Sequence, residues 1–473
     1  MSKDFQSVYN DLYTRAKNNE CFTDLKSLIL DKQNIIWAID NIKNSINFNE
    51  LNSLSVDNIV IKIHDLCSIK YMPHTIIAKQ IILKDGKKQY IGVPTIWDKL
   101  IQQCIKQILE PICEAHFYKY NYSFKPNCIT ENIISVVYNR LQLNKVYNVI
   151  KLDINDFYNK INHSKLIKQL WTLGVHDKWL LYQIRNILLT PVMYNKQIVH
   201  PKQGIIQSGI LHQLFLSIAL NEFDHWIKSQ WEENPVINNY SNRPNKNNIP
   251  NKGHAYCAMR KRTKLKEMYL VRYNDNILIF VKSSKQIDNI KIAISKWFNK
   301  RLKYQLSLND IYAINTTKKY FEFLGFKIRT IFKRNKYVVE SHINDYQLNN
   351  LYIKLKKQIV CIQHLSRKQN IYNEIAKYND IVLFIHMYYR VATHINNDCS
   401  KLDEKIRHII YNRLQGIKKA GRKLNLFENK YYGKSKMLRY IHNEPIYPIG
   451  YVQHKYPIGY KYTSRKSFDF EKK

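Results

Sequence analysis

MYLVRYNDNILIFVK, residues 268–282, sets two apolar runs on either side of Asn274-Asp275. Strand-forming residues flanking an Asn-Asp pair spell a β-hairpin, with Asp275 at its tip. A second run, 146-VYNVIKLDINDF-157, is apolar until it ends in acidic residues, and reads as a buried strand that delivers Asp153 to its end. Two carboxylates on rigid supports suit hard divalent cations, and joining nucleotides requires a pair of Mg²⁺ ions about 4 Å apart. A strand-end Asp also serves as a cap and a turn Asp as an Asx-turn, so the pair alone does not choose between chemistry and architecture.

Outward from these two stretches the pattern is mixed. Residues 1–60 carry helical spacing, with Leu25, Leu28 and Ile29 on one face and Ile35, Ile39, Ile42 and Ile46 on another. Residues 79–94 alternate around Asp85-Gly86, a second hairpin signal. A long helix is expected over 96–117, kinked or broken at Pro111. Another is expected from Ser164, as N-cap, to Leu173. Residues 234–253 are rich in Asn and Pro and read as a loop insertion, bounded at about 234–256. From Asp345 to about Lys419 the chain turns helical and basic, which places a boundary near 333–345, at the charged run 333-KRNK-336. The expected domains are 1–335, 340–430, and a basic, aromatic tail over 431–473 with a short repeat, 447-YPIGY-451 and 456-YPIGY-460.

The 473 residues carry 75 Lys and Arg against 37 Asp and Glu, a formal charge of +38. A chain so basic calls for a polyanion, and phosphate contacts dominate nucleic-acid affinity. Drift toward Lys codons in an AT-rich genome, which also supplies Asn, Ile and Tyr, is the competing explanation. No apolar run reaches the roughly 18 residues of a membrane span, so no membrane partner is expected. The eight cysteines form no CxxC pair, which argues against a zinc finger and offers no disulfide framework. The first 17 residues lack an apolar targeting core, and synthesis where the protein works is the expectation.

The order and spacing of several segments resemble the group II intron reverse transcriptase/maturase family. Residues 84-KDGKKQYIGVPTIWDKLIQQCIKQILEPICEAHF-117 resemble its fingers motif and 122-YSFKPN-127 its GFRP segment. Residues 150-IKLDINDFYNKINHSKL-166 resemble the strand bearing the first catalytic Asp, at Asp153. Residues 204-GIIQSGILHQLFLSIALNEFD-224 resemble the segment lining the nucleotide and template site, with Gly204, Gln207 and Ser208 as its remnant. Residues 272-RYNDNILIF-280 resemble the acidic doublet and 321-FEFLGF-326 the closing palm motif. Residues 372-YNEIAKYNDIVLFIHMYYRVA-392 look like the helical maturase domain, domain X. The resemblance spans roughly residues 20–430 and implies an α/β (α+β) fold, with reverse-transcriptase-like fingers and palm followed by a helical thumb/maturase domain.

The departures cluster in the polar groups. The family's second doublet Asp is Asn276, its Pro-Gln-Gly is Ile206-Gln207-Ser208, its Ser-Pro is His212-Gln213 and its Asn is Ser217. The Arg expected to face the triphosphate is Gln89, and the Lys-Thr after the palm helix is missing from 306–314. Asp153 and Asp275 are thus expected as vestigial catalytic residues, with Mg²⁺ as cofactor only if activity remains. The resemblance then implies an RNA-binding maturase for a group II or derived group III intron, with an active RNA-directed DNA polymerase as the alternative and a homodimer left open. Candidate RNA contacts are Lys84, Lys87, Lys88 and Lys125 in the fingers. In the helical region they are Lys356, Lys357, Arg367, Lys368, Arg390, Lys418, Lys419, Arg422 and Lys423. The family's zinc-bearing endonuclease module is not expected. Composition and eroded motifs point to an organelle, a plastid ahead of a mitochondrion or a bacterium.

Overall fold

The computed structural model describes residues 3–43, 54–68, 71–82, 88–119, 121–123, 130–206, 209–240, 252–364 and 368–455. Four helices lead in: α1 (Lys3–Lys17), α2 (Lys26–Ile29), α3 (Lys32–Lys43) and α4 (Val56–Cys67). The hairpin β1 (Ile76–Ile82) and β2 (Lys88–Val93) precedes α5 (Ile96–His116) and α6 (Thr130–Tyr138). Then follow β3 (Asn148–Leu152), α7 (His163–Thr172), α8 (Lys178–Leu188), β4 (Val192–Tyr194), β5 (Gln197–Val199), α9 (His212–Gln230) and α10 (Lys252–Arg262). The hairpin β6 (Met268–Tyr273) and β7 (Asn276–Val281) leads to α11 (Ile287–Trp297), β8 (Ile311–Asn315), β9 (Phe321–Phe323), β10 (Phe326–Lys333) and β11 (Lys336–Ile343). The chain closes with α12 (Asp345–Gln363), α13 (Lys368–Tyr389), α14 (Ile395–Arg413), α15 (Leu426–Tyr432), β12 (Arg439–Ile441) and β13 (Glu444–Ile446).

The central sheet runs β6-β7-β3-β8, and every pairing in it is antiparallel. Its inner strands are continuous apolar runs because both faces are covered; Ile277 to Val281 have no solvent exposure. Leu152 pairs with Ile277 on one side and Ile311 on the other, which sets Asp153 beside the β6–β7 turn. Phe223 and Trp226 of α9 meet Trp297 and Phe298 in an aromatic cluster that Phe157 joins, with centroids 4.8 to 6.2 Å apart. This cluster fixes the helices against the segment that follows β3. A second sheet, β2-β1-β4-β5, carries the first hairpin, and α1 and α3 pack on α5.

The α/β class and the helical region after the palm are as the sequence implies. Some boundaries are not. Helix α7 is capped two residues before Ser164, by Asn162, whose carboxamide oxygen accepts from the Lys165 amide at 2.9 Å. Helix α5 runs unbroken through Pro111, which is buried. Within the expected 333–345 boundary, the run 333–336 is a two-residue hairpin turn. Arg334 and Asn335 take φ of +50° and +59°, and Lys333 pairs with Lys336. The sheet gives way to helix ten residues later, where Asn344 caps α12. The expected insertion contains a 3-10 turn over Pro235–Tyr240 and the start of α10, whose Tyr256 stacks on Trp231. The expected tail is folded to residue 455: Tyr447 stacks on Tyr432 at 4.5 Å and Ile449 is fully buried. The second YPIGY copy lies outside the described residues.

The helical region is latched to the palm. The Tyr138 hydroxyl meets the Ser341 hydroxyl and donates to the Val391 carbonyl at 3.3 Å. Arg390 pairs with Glu131 of α6, and Tyr388 donates to the Leu324 carbonyl at 3.2 Å. Leu324-Gly325 is the β9–β10 turn, with Gly325 at φ +81° and the position of a Cβ only 2.8 Å from the Tyr389 hydroxyl. Gly325→Ala should therefore cost about 1–2 kcal/mol from the left-handed backbone alone, and more if Tyr389 cannot shift. A urea titration that shows no loss of stability in this variant would contradict the tight latch.

Candidate active site and nucleic-acid surface

The β6–β7 turn is built by one buried ion pair. Arg272 and Asp224 are both fully buried; the guanidinium Nε donates to both carboxylate oxygens at 2.9 Å and Nη2 to one at 2.6 Å. The remaining Nη1 donates to the Asn274 carbonyl at 3.1 Å, so the same side chain that anchors on α9 also holds the turn. Asn274 takes φ +53°, a left-handed position that Asn tolerates. Its amide donates to the Ser123 hydroxyl at 2.7 Å, and the Tyr122 amide donates to the Arg272 carbonyl at 2.9 Å. The 121–123 segment and α9 thus clamp the hairpin tip from two sides.

Asp275 sits partly buried at that tip. Burial pushes its carboxyl above the usual Asp range, and the nearby Asp153 charge pushes it further. The Asn276 carboxamide donates to the Asp275 Oδ1 at 3.1 Å. That N–H takes a lone pair a cation would otherwise claim. Asp153 is held by its backbone amide, which donates to the Asp310 carbonyl at 2.8 Å. Asp310 in turn closes a capping box with Ser307. Two carboxylates and an amide suit one hard dication, one carboxylate short of a set that gathers two. Among the described residues no group of three His, Cys, Asp or Glu is arranged to hold a metal.

Behind this pair Tyr158 is buried and stacks on the His212 ring at 4.8 Å. Burial pushes His212 down to about 4, so it is neutral near pH 7 and adds no charge to the site. Gly204, at φ +90°, lies where a Cβ would fall 2.8 Å from the Asn159 carbonyl. Its carbonyl is 2.7 Å from the His163 Nε2, and its amide donates to the Ile161 carbonyl at 2.8 Å. Gly204 is therefore a packing glycine that stitches this loop to the segment after β3. Ile206 fills the space over Gly92, where even a Cβ would be 2.2 Å from its methyl. Gln207 and Ser208 lie outside the described residues. Ser217 is fully buried with no hydrogen-bond partner for its hydroxyl among the described residues.

The pair opens on a cavity of about 850 Å³. Asp153, Asp275 and Asn276 line it together with Lys151, Lys291, Lys318 and Lys319. Sequence reading passed over these lysines. Lys151 lies two residues before Asp153 on the same strand, which was the available signal. The other three come from α11 and the β8–β9 loop, and only the fold brings them in. Tyr312 also lines the cavity, half-exposed, within the 306–314 stretch from which the Lys-Thr of the resemblance is missing.

Among the expected RNA contacts, Lys356 and Lys357 are exposed on α12, and Lys418, Lys419 and Lys423 are exposed before α15. Two arginines are otherwise engaged. Arg390 pairs with Glu131, and Arg422 bonds Glu428 at 2.8 Å and Glu444 at 2.9 Å. Arg390 ties the helical region to α6, and Arg422 joins α15 to β13. Lys88 opens β2 and Lys368 opens α13. Lys84, Lys87, Lys125 and Arg367 fall outside the described residues.

A palm sheet with an Asp-bearing hairpin, under a helical thumb, is the framework of a template-directed nucleic-acid polymerase. The profile for "Reverse transcriptase (RNA-dependent DNA polymerase)" matches residues 79–328, more than half of the chain, and the chain belongs to that family. Within it, the chain falls in the group II intron reverse transcriptase/maturase group. It is 27% identical over 288 residues to the group II intron-encoded protein LtrA of Lactococcus lactis subsp. cremoris, covering 55% of this chain and 47% of that one. It is 25% identical over 280 residues to protein YkfC of Escherichia coli (strain K12), covering 58% and 71%. Over 155 residues it is 25% identical to nuclear intron maturase 4, mitochondrial, of Arabidopsis thaliana, covering 31% and 18%. The chain thus spans about half of the length of LtrA and less of the Arabidopsis maturase.

Two outcomes test the site. Removing one partner of the buried pair, as in Asp224→Ala, leaves an uncompensated guanidinium and should cost about 3–5 kcal/mol, whereas Asp224→Leu with Arg272→Met should recover most of that loss. Equal urea midpoints for the native chain and Asp224→Ala would contradict the role given to the pair. Because the Asp275 pKa is raised in the fold, its charged form costs stability as pH rises past the ordinary value of 3.8. Asp275→Asn, without divalent ions, should raise the melting temperature at pH 7, and the gain should fade as pH approaches that value. A lower melting temperature at pH 7 would reverse the sign.

Proposed function

We propose that this chain is an intron maturase: an RNA-binding protein that assists splicing of a group II or derived group III intron without making DNA. The observation that carries the reading is Asn276, whose amide bonds Asp275 in a scaffold whose buried supports are otherwise complete. One carboxylate fewer weakens the hold on a second Mg²⁺, and the lysines of the cavity supply positive charge suited to a phosphate backbone.

In such splicing the intron RNA performs the transesterifications. The protein needs only a higher affinity for the active RNA fold than for its competitors, since differential binding shifts the population. Exposed Lys356, Lys357, Lys418, Lys419 and Lys423 would meet phosphates, and each would act in a salt-dependent way. A composition rich in Lys, Asn, Ile and Tyr supports an organelle-encoded protein, and a plastid is the proposed compartment. The described residues include no helix long and apolar enough to cross a membrane. The second reading, an active reverse transcriptase of a mobile intron, is favoured by Asp153 and Asp275 standing side by side. In that case they would hold Mg²⁺, which would stabilise the attacking and leaving oxygens.

Primer extension on an RNA template with Mg²⁺ separates the two. The native chain should yield no extended product while still binding the template, and Asn276→Asp should restore at most slight synthesis. Robust synthesis by the native chain would establish the second reading. In the same preparations, Lys356→Ala with Lys357→Ala should flatten the plot of log affinity against log salt by about 1.4, since each single-strand phosphate contact contributes about 0.7 to the slope.

A further inference from the structure

The hairpin of β10 and β11 runs out past the palm. Phe326, Ile328 and Thr330, on one face of β10, are fully buried, but Phe332, next on that face, is 64% exposed. Alternate residues of a strand share a face, so the buried side of the sheet continues into solvent. The cross-strand partner of Phe332 is Tyr337, also exposed, and their ring centroids are 5.2 Å apart at an angle of 65°. Tyr337 in turn meets Tyr147, just before β3, at 4.8 Å. Three rings thus step outward, and the outermost keeps one face to solvent. Beside them the Gln142 carboxamide accepts from the Val339 amide at 3.3 Å, and the next residue, Leu143, is 58% exposed. Single exposed apolar side chains are ordinary, whereas several on one overhang mark a contact surface.

The charge at this end has one sign. Lys145, Lys333, Arg334 and Lys336 are exposed, and among the described residues none of them forms an ion pair. Neither 141–148 nor 330–339 contains an Asp or Glu. Glu340, next along β11, is buried and bonded to Tyr320 and Arg329. The left-handed φ of both Arg334 and Asn335 makes a tight turn of fixed geometry, which holds the cations beside the rings. Tyr147 and Asp153 stand beyond opposite ends of β3, about 20 Å apart at about 3.3 Å per residue, so this surface is separate from the two carboxylates. Exposed rings among cations, with no carboxylate between them, fit an unpaired polynucleotide. Bases stack on rings whatever their identity, and the adjoining phosphates seek the cations. A duplex hides its base faces, and a second copy of this chain would bring like charge to like. We propose that the β10–β11 overhang is a docking surface for single-stranded RNA, where a base stacks on Phe332 and the adjoining phosphates meet Lys333, Arg334 and Lys336. The proposal rests on the RNA-binding reading above and adds to it a contact with unpaired bases.

The test uses the full chain and a fluorescent dodecamer of uridine that carries one 5-iodouridine, which crosslinks to a stacked aromatic ring on irradiation. Mass spectrometry should place the crosslink on Phe332 or Tyr337. By fluorescence anisotropy, Phe332→Leu, which keeps an apolar side chain but removes the ring, should weaken binding about fivefold, the lower end of what stacking one base provides. Phe332→Trp should bind at least as tightly as the native chain. Because Phe332 is exposed, both variants should keep the native urea midpoint. Native affinity in Phe332→Leu, or crosslinks confined to other parts of the chain, would overturn this surface and leave the RNA-binding reading standing. No binding of the dodecamer by the native chain would overturn that reading itself. A dimer in sedimentation that Phe332→Leu dissolves, with RNA affinity unchanged, would make a second copy the occupant and overturn the proposal too.

Discussion

A guanidinium and a carboxylate without access to water, Arg272 and Asp224, hold this palm in shape. Burying both ions is costly, and only close, charge-assisted geometry offsets it. Here three donor–acceptor contacts of 2.6 to 2.9 Å do so, and the spare Nη1 reaches the turn that presents Asp275. One side chain therefore couples helix, strand and turn. Because the pair tolerates little displacement, the hairpin tip remains fixed whether or not Asp275 and Asn276 perform chemistry. A fold can keep its polymerase framework in this way after the polymerase's polar groups have changed.

Asn276 is the change with the clearest electrostatic consequence. A second carboxylate at that position would add repulsion to a pair in which Asp275 is already pushed upward by burial and by Asp153. The amide removes the repulsion and donates a hydrogen bond to Asp275. Neutral His212 against Tyr158 and Ile206 over Gly92 fill neighbouring space with contact rather than charge. Lys151, Lys291, Lys318 and Lys319 meanwhile bring four cations to the same cavity. On the proposed function, such a cavity attracts phosphate more readily than it gathers two dications.

Much of this was legible in the chain itself. The two apolar runs around Asn274-Asp275 and the run ending at Asp153 follow a local period, and the hairpin and central strand appear where they should. The order of motifs identified the family, and the family profile agrees. What stayed hidden depends on partners far apart in sequence. Nothing local distinguishes Arg390, tied to Glu131 259 positions away, from an exposed arginine. The cavity lysines arrive from separate elements, and the 333–336 run looks like a linker until Arg334 and Asn335 are seen to close a hairpin. The aromatic C-terminal stretch is weakly periodic because it packs by stacking Tyr447 on Tyr432, not by presenting a helical face.

The central claim is that this palm serves RNA folding and not synthesis, so its two carboxylates should be dispensable for splicing. The direct measurement is splicing of a group II intron RNA from the same genome, at a Mg²⁺ concentration where the RNA alone is slow. The native chain would be compared with the Asp153→Asn, Asp275→Asn double variant. The account predicts equal acceleration by both proteins. Acceleration by the native chain that the double variant loses, with its fold and RNA affinity intact, would contradict it.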